Sequence, residues 1–354
     1  MAKLFSPIKI KGITLKNRII VSPMCQYSAI DGFANDWHLV HIGSRAVGGA
    51  SLVIMEATAI SPEGRISPMD LGLWKDAHIE KLLQITSFIK EQQAVPGIQL
   101  SHAGRKASTT VPWKGRGKVA VEDGGWVPVA PSSIAYSESY STPVELDEIG
   151  IRTIISDFVL ATERALRAGF EVVEIHAAHG YLLHQFLSPL SNHRTDSYGG
   201  SFENRIRLLL EVVEAIKTVW PDELPLLVRI SATDCADGGW DLEQSVRLAA
   251  LLKAKGIDLI DVSSGGLVEY QQIEVGPAYQ LPFATKIKKE TGILTATVGM
   301  ITDAVQAESI LANDDADMVA MARELLRNPY FALQAAHELK DHIVWPVQYE
   351  RAKP

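Results

Sequence analysis

The chain has 354 residues, 47% of them hydrophobic and 21% charged, with a formal net charge of −8. That apolar content excludes a disordered chain, and the acidic balance leaves no electrostatic footprint for nucleic acid or anionic lipid. The length would accommodate two ordinary domains, but a (β/α)8 barrel takes about 250 residues as one unit and insertions extend it.

The first residues, Met1-Ala-Lys-Leu-Phe-Ser-Pro7, lack the apolar core of a signal peptide. No apolar run approaches the roughly 20 residues of a membrane helix. Two cysteines, Cys25 and Cys235, make neither a disulfide framework nor a CxxC pair. A cytoplasmic protein is expected, with no membrane or nucleic-acid partner and no iron–sulfur cluster on this chain.

In chain order, short β-branched runs alternate with turn residues and longer stretches of helical periodicity. After a short N-terminal hairpin, strands are predicted at residues 18–23, 51–58, 97–100, 171–176, 226–231, 259–262, 294–298 and 318–321. Helices are predicted at 77–93, 147–168, 202–219, 242–255, 283–291 and 303–313, with a first helix around His38 and His41. Strands such as 51–55 are largely apolar, as expected where both faces of a parallel sheet are covered. Eight units in series favour an α/β fold closed as a (β/α)8 TIM barrel. An open doubly wound sheet stays possible, because periodicity does not report closure. Long loops follow strands three and four, at 101–145 and 177–201, on the edge where a barrel builds its active site. One domain over residues 1–354 is expected.

Gly115-Arg-Gly-Lys-Val-Ala120 fits the G-x-G-x-x-A spacing, but no strand precedes it and no helix follows, so no Rossmann domain is expected. His176-Ala-Ala-His179-Gly-Tyr181 closes the predicted fourth strand. Two imidazoles converging there can hydrogen-bond a carbonyl oxygen as it gains negative charge, and the Tyr181 phenol can supply a proton. The pair also reads as core or capping histidines. A metal site is the weaker reading, since no carboxylate or cysteine lies at ligand spacing. The second H-x-x-H, His38 and His41, reads as structural.

Arg229 interrupts the apolar run Leu226-Leu-Val-Arg-Ile230. A buried guanidinium needs a partner, either an anionic cofactor atom at the barrel mouth or a buried carboxylate. Gln99 and Glu56 end strands three and two, and each reads equally as a barrel-layer residue bonded to a neighbour. Ser263-Ser-Gly-Gly266, Val298-Gly-Met300 and Ala322-Arg323 follow strands six, seven and eight. Barrels commonly hold phosphate there on backbone N–H groups, aided by a helix N-terminus and an arginine.

Ser22-Pro-Met-Cys-Gln-Tyr27, Glu56-Ala-Thr58, Gln99-Leu-Ser-His-Ala-Gly-Arg105, His176-Ala-Ala-His-Gly-Tyr181, the run from Arg194 to Arg205 and Arg323-Glu-Leu-Leu-Arg-Asn-Pro329 occur in order. Together they resemble the old yellow enzyme family along nearly the whole chain. Cys25 and Tyr27, with Gln348-Tyr-Glu-Arg351, are similar to its thermophilic-like, YqjM-type subgroup of ene-reductases, or NADPH dehydrogenases. The resemblance implies an FMN-dependent enzyme passing hydride from NADPH, or NADH, through flavin N5 to the C=C bond of an α,β-unsaturated carbonyl compound.

It implies that Ser22, Pro23, Met24 and Cys25 line the flavin, with Cys25 tuning its potential. Ala57 and Gln99 would touch the isoalloxazine ring, and Arg229 would balance negative charge at its N1/C2=O side. Gly299, Ala322 and Arg323 would hold the phosphate. His176 and His179 would grip the substrate carbonyl, Tyr181 would donate the proton, and Tyr27 would border the pocket. Arg351, in a C-terminal tail (341–354) expected at a subunit interface, would reach a neighbouring active site in a homodimer or homotetramer. Ala322 departs from the pattern, since the family usually carries Gly there, and a methyl group would crowd the phosphate if the position required φ > 0. The Arg194–Gly200 run is expected to shape the loop after strand four, and no metal site is expected. Two rivals stay open: a flavin enzyme reducing nitro compounds or nitrate esters, and a metal-dependent barrel hydrolase or lyase built on the histidine pair.

Overall fold

The computed structural model describes residues 2–115 and 117–354. Its strands are β1 (Ile8–Ile10), β2 (Ile13–Leu15), β3 (Ile19–Val21), β4 (Leu52–Ala59), β5 (Val95–Ser101), β6 (Val129–Ala130), β7 (Val144–Glu145), β8 (Val172–Ala177), β9 (Leu226–Ser231), β10 (Leu259–Ser263), β11 (Leu294–Thr297) and β12 (Met318–Met321). Among the described residues, β3, β4, β5, β8, β9, β10, β11 and β12 pair in parallel and close into a barrel, so the fold is the (β/α)8 barrel. All eight predicted strands are present, with ends that differ by up to two residues.

The helices are α1 (Asp36–Val47), α2 (Ile79–Glu91), α3 (Glu148–Arg167), α4 (Leu182–Leu187), α5 (Phe202–Arg205), α6 (Arg207–Ile216), α7 (Leu242–Ala254), α8 (Leu281–Thr291), α9 (Ala304–Ala312), α10 (Arg323–Arg327) and α11 (Phe331–Glu338). The helix predicted at 202–219 is instead interrupted at Ile206 and ends at Ile216. Side-chain caps set several starts: Asn35, Asp147, Asp241 and Asp303 each accept a backbone N–H from the first turn. None of the described helices is long and apolar enough to cross a membrane.

The strands are buried on both faces because helices cover the outside and side chains fill the inside. At the N-terminal end the interior is plugged by the β1–β2 hairpin. Ile8, Ile10 and Leu15 pack in one cluster with Ile20, Leu52, Ile54, Val172, Leu227 and Leu259. The opposite mouth is polar. Between them, β4 carries one irregularity that matters to the mouth: its register on β5 jumps from Met55↔Ile98 to Ala57↔Gln99. The extra residue is Glu56, as in a bulge, which re-aims the strand beyond it and sets Ala57 beside Gln99. The Gly115–Ala120 spacing match follows a single 3-10 turn, Pro112–Lys114, and not a strand; its Arg116 lies outside the described residues.

The C-terminal end of α1 packs tightly on the chain that leads into α11. A Cβ at Gly48 would stand 1.9 Å from the Pro329 carbonyl oxygen, whereas one at Gly276 would meet nothing within 4 Å. Gly48→Ala is expected to destabilise the fold by about 2 kcal/mol through overpacking, and Gly276→Ala to stay within about 0.5 kcal/mol. Urea midpoints of the two variants check this; equal midpoints would contradict the packing at Gly48.

Candidate active site

The last residues of β8 and the turn after it carry the histidine pair. His176 is buried, and its Nδ1 accepts the Ala178 N–H at 3.3 Å. That bond places the ring proton on Nε2, leaving Nε2–H as the donor. His179 follows in the left-handed region at φ +59°, and Gly180 continues it at φ +73°. Gly180 is needed there, because a Cβ would stand 2.2 Å from the Gly266 carbonyl oxygen. The turn brings the two imidazole rings edge to face, 5.2 Å between centroids, with the Tyr181 ring 4.9 Å from that of His176.

The turn is held from every side. The His179 N–H donates to Ser231 Oγ at 2.9 Å, and the ring Nε2 lies 2.7 Å from Ser263 Oγ. Lys106 Nζ donates to the carbonyls of His179 and Gly266 at 2.9 and 2.6 Å. Below it, His184 Nδ1 accepts the Gly180 N–H at 2.9 Å while Nε2–H donates to Asp234 at 2.8 Å. Although burial works against it, bonds from His184, Ser188 and the Trp240 N–H hold the Asp234 carboxyl below the usual carboxylate range. The Arg194–Gly200 run shapes the rest of the loop: Arg194 bonds Asp196 and the carbonyls of Pro131 and Leu146.

Burial, followed by the nearby Arg229 cation, drives both His176 and His179 well below the ordinary imidazole value. The rings are therefore neutral. Burial pushes the Tyr181 phenol well above its usual range, so it keeps its proton. The half-buried Cys25 thiol is also pushed up, by burial and then by the Asp70 and Glu56 charges, which makes it a thiol and not a thiolate. Ser22, Pro23, Met24, Cys25 and Tyr27 lie together on the stretch leaving β3. This stretch is anchored from behind by Glu56, which accepts the Gln26 N–H at 2.8 Å and sits 3.2 Å from His38 Nε2. Glu56 and His38 are thus scaffold. Tyr27 sits at φ +49°, edge-on to Trp113.

Inside the mouth, Arg229 Nη1 donates to Ser22 Oγ at 3.1 Å and Nε lies 3.3 Å from Asp261 Oδ2. Gln99 Nε2 donates to Glu174 at 2.7 Å. A cavity of about 240 Å³ opens over the ends of β10, β11 and β12, lined by Arg229, Ser263, Gln280, Gly299, Ala322 and Arg323 among others. Gln280 ties its wall together, accepting from Ser263 and Ser264 and donating to the Val298 carbonyl. Gly299 sits at φ +126°, and a Cβ there would meet Gln280 Nε2 at 2.9 Å. Ala322 adopts φ −109°, outside the left-handed region that favours glycine, so the position does not require glycine. A phosphate-sized cavity with an exposed arginine at its rim, continuous with a buried guanidinium, fits the two ends of FMN. Arg351 stands exposed on the C-terminal 3-10 helix Val347–Ala352 and is not gathered into this cluster. Among the described residues no group of three His, Cys, Asp or Glu side chains is placed to hold a metal ion.

Residues 3–342 match the family described as NADH:flavin oxidoreductase / NADH oxidase. The chain belongs to that family. It is an FMN-dependent, nicotinamide-using oxidoreductase of the old yellow enzyme type. NADPH dehydrogenase of Bacillus subtilis strain 168 is 50% identical over 351 residues, covering 99% of this chain and 98% of that protein. Morphinone reductase superposes with a TM-score of 0.81 at 30% identity, over 97% of this chain and 91% of its own. Its complex with tetrahydroNAD gives 0.79 at 29%, over 98% and 93%.

Sequence reasoning missed Ser231, Gln280, Lys106, Glu174 and Asp261 as members of this old yellow enzyme mouth, and it read Ser263 as part of the phosphate segment and not as a partner of His179. Glu174 and Asp261 carried the signal that exposed Arg229, a charged residue inside an apolar strand. Since the unfolded chain takes up imidazole protons near pH 6.5 that folded His176 and His179 refuse, these rings stabilise the fold above that pH and withdraw the contribution as pH falls. Nitrogen-15 spectra of labelled histidine should show both rings neutral from roughly pH 8 to pH 5. A titration of either ring near pH 6.5 would contradict the neutral state assigned to the pair.

Proposed function

We propose that the protein is an ene-reductase, an NADPH dehydrogenase that reduces the activated C=C bond of α,β-unsaturated carbonyl compounds. FMN, when bound, supplies the hydride transfer between nicotinamide and substrate. Everything else is done by side chains of the mouth. The observation that carries the reading is the neutral histidine pair fixed at the end of β8, where His176 stands in register with the buried cation Arg229 on β9.

His176 offers Nε2–H to the substrate carbonyl oxygen. For His179 to offer a second donor, the single Ser263 hydroxyl proton must turn from Gln280 Oε1, 3.1 Å away, to the ring Nε2, which leaves the ring proton on Nδ1 and Gln280 still accepting from Ser264. Two donors held before substrate arrives stabilise the charge that grows on that oxygen, without reorganisation at the moment of reaction. Tyr181 keeps its proton until the substrate α-carbon needs one, and its place beside His176 puts an acid next to the carbonyl-binding pair. Ser22, Pro23, Met24 and Cys25 would line the flavin with Ala57 and Gln99, Arg229 would face its N1/C2=O side, and Gly299, Ala322 and Arg323 would hold the phosphate. Tyr27 would border the substrate.

The exposed apolar residues Ile30, Trp37 and Val40 around the start of α1, together with Val344 and Val347 in the tail, support a homo-oligomer with the tail (341–354) at its interface. In that assembly Arg351 would enter a neighbouring mouth. A cytoplasmic location accords with the absence of a disulfide between the two free cysteines.

Purified protein should show flavin absorbance that bleaches anaerobically with NADPH and returns with cyclohexenone. His176→Ala/His179→Ala should lower enone turnover at least about a hundredfold, as loss of a preorganised donor does, while NADPH still bleaches the flavin. Enone turnover at the unmodified rate would refute the role given to the pair.

A further inference from the structure

Inside the barrel four polar side chains meet: Gln99 on β5 is in register with Glu174 on β8, two residues before His176, and Asp261 on β10 is in register with Arg229 on β9, which pairs with His176. All are at most 5% exposed. Two are carboxyls and one is a guanidinium. Glu174 Oε1 accepts from Gln99, but Glu174 Oε2 and both Asp261 oxygens are buried without a hydrogen-bond donor. Arg229 Nε lies 3.3 Å from Asp261 Oδ2 yet makes no hydrogen bond there. The carboxyls themselves stand within hydrogen-bonding reach of each other.

A buried acceptor is seldom left unpaired, and two adjacent carboxylates in a dry interior cannot both stay ionised. The titratable groups facing the pair do not change the sum. Arg229 supplies one positive charge, His176 in register with it is neutral, and Gln99 carries none. Ser22, bonded to Arg229, is uncharged, and Ile20, Ile54, Ala296 and Ala320 of the apolar cluster toward the plug bring no charge. We propose that Glu174 and Asp261 hold a single proton between them, and that this singly charged pair balances Arg229 so that the floor of the isoalloxazine pocket carries no net charge. The second half rests on the flavin reading above; the first does not.

Burial pushes both carboxyls above their usual range, in keeping with a retained proton. One carboxyl O–H donating to the other's oxygen accounts for two of the three orphaned oxygens, and Asp261 Oδ2 has the Arg229 guanidinium 3.3 Å away. Glu174 and Asp261 are thereby positioning residues. They touch neither substrate nor flavin, and act by setting how much of the Arg229 charge is available to a reduced, electron-rich ring.

Infrared spectra of the flavin-loaded protein at neutral pH should contain a carboxylic-acid C=O band. It should shift when the chain is labelled with carboxyl-13C glutamate or aspartate, and lose a component in Glu174→Gln, leaving only what the buried Asp70 carboxyl, pushed up to about 7 by burial, contributes. Because Glu174→Gln removes no net charge, the reduced-to-oxidised flavin ratio at fixed potential should move less than about threefold. Adding Asp261→Asn leaves Arg229 unbalanced and should raise that ratio more than about tenfold, roughly 30 mV for a two-electron couple. No acid band in the labelled wild type would overturn the proposal, and that measurement stands even if a variant does not fold. A rise in Glu174→Gln alone equal to that of the double variant would also overturn it, since it would mean that Asp261 supplies no charge to balance Arg229 once Glu174 is gone. A colourless protein that retains the band would defeat the flavin reading and leave the shared proton established.

Discussion

The constraint that organises this molecule is a guanidinium inside a barrel. Arg229 sits on β9 with apolar residues before and after it, 5% exposed, and a buried cation must be balanced or fold stability suffers. The interior answers with Asp261 beside it, Ser22 across from it and, through Asp261, Glu174 and Gln99. Below this level the barrel is an ordinary packed core closed by the hairpin. Above it, the functional groups come from strand ends and the loops after them, His176 from the end of β8 and His179 and Tyr181 from the turn that follows. The same cation helps to keep His176 and His179 neutral, which is the state in which each carries one N–H and can serve as a fixed donor. One buried charge thus prepares both halves of a redox site: a positive neighbour for a flavin and uncharged donors for a carbonyl.

The support for the histidine turn is deeper than the turn itself. His179 and Gly180 both occupy the left-handed region, a conformation that persists only when the surroundings over-determine it. His184 and Asp234 hold it from below, Lys106 bonds its carbonyl from the loop after β5, and Gly266 packs against its backbone from the loop after β10. Three loops therefore meet on one backbone segment, and the geometry of the donors is set by groups that touch no ligand.

Much of this was legible in the chain. Apolar strands covered on both faces left a clear pattern, and all eight appeared where β-branched runs had placed them. Arg229 declared itself by interrupting one, and the His176–Tyr181 motif by its place at a strand end. Family resemblance added the roles. What stayed hidden depends on three-dimensional register. The extra residue at Glu56 shifts β4 against β5, and no local pattern distinguishes that bulge from a regular strand. The choice between a cofactor atom and a carboxylate as the partner of Arg229 was left open, and Asp261 supplies the carboxylate without filling the hydrogen bond at Nε. Ser263 looked like part of a glycine turn until it was found 2.7 Å from His179. The concern over Ala322 dissolved because its backbone is not left-handed, a property set by the approach to α10 and invisible in the residue type.

The central claim is that a carbonyl oxygen rests between two neutral imidazoles above a flavin held over Arg229. A crystal structure of the FMN-loaded enzyme soaked with an unreactive enone analogue tests it most directly. The account requires the ring across the barrel mouth and the ligand oxygen about 2.7–3.1 Å from donor nitrogens of both His176 and His179. A ligand oxygen bound elsewhere, or a metal ion bridging the two rings, would contradict it.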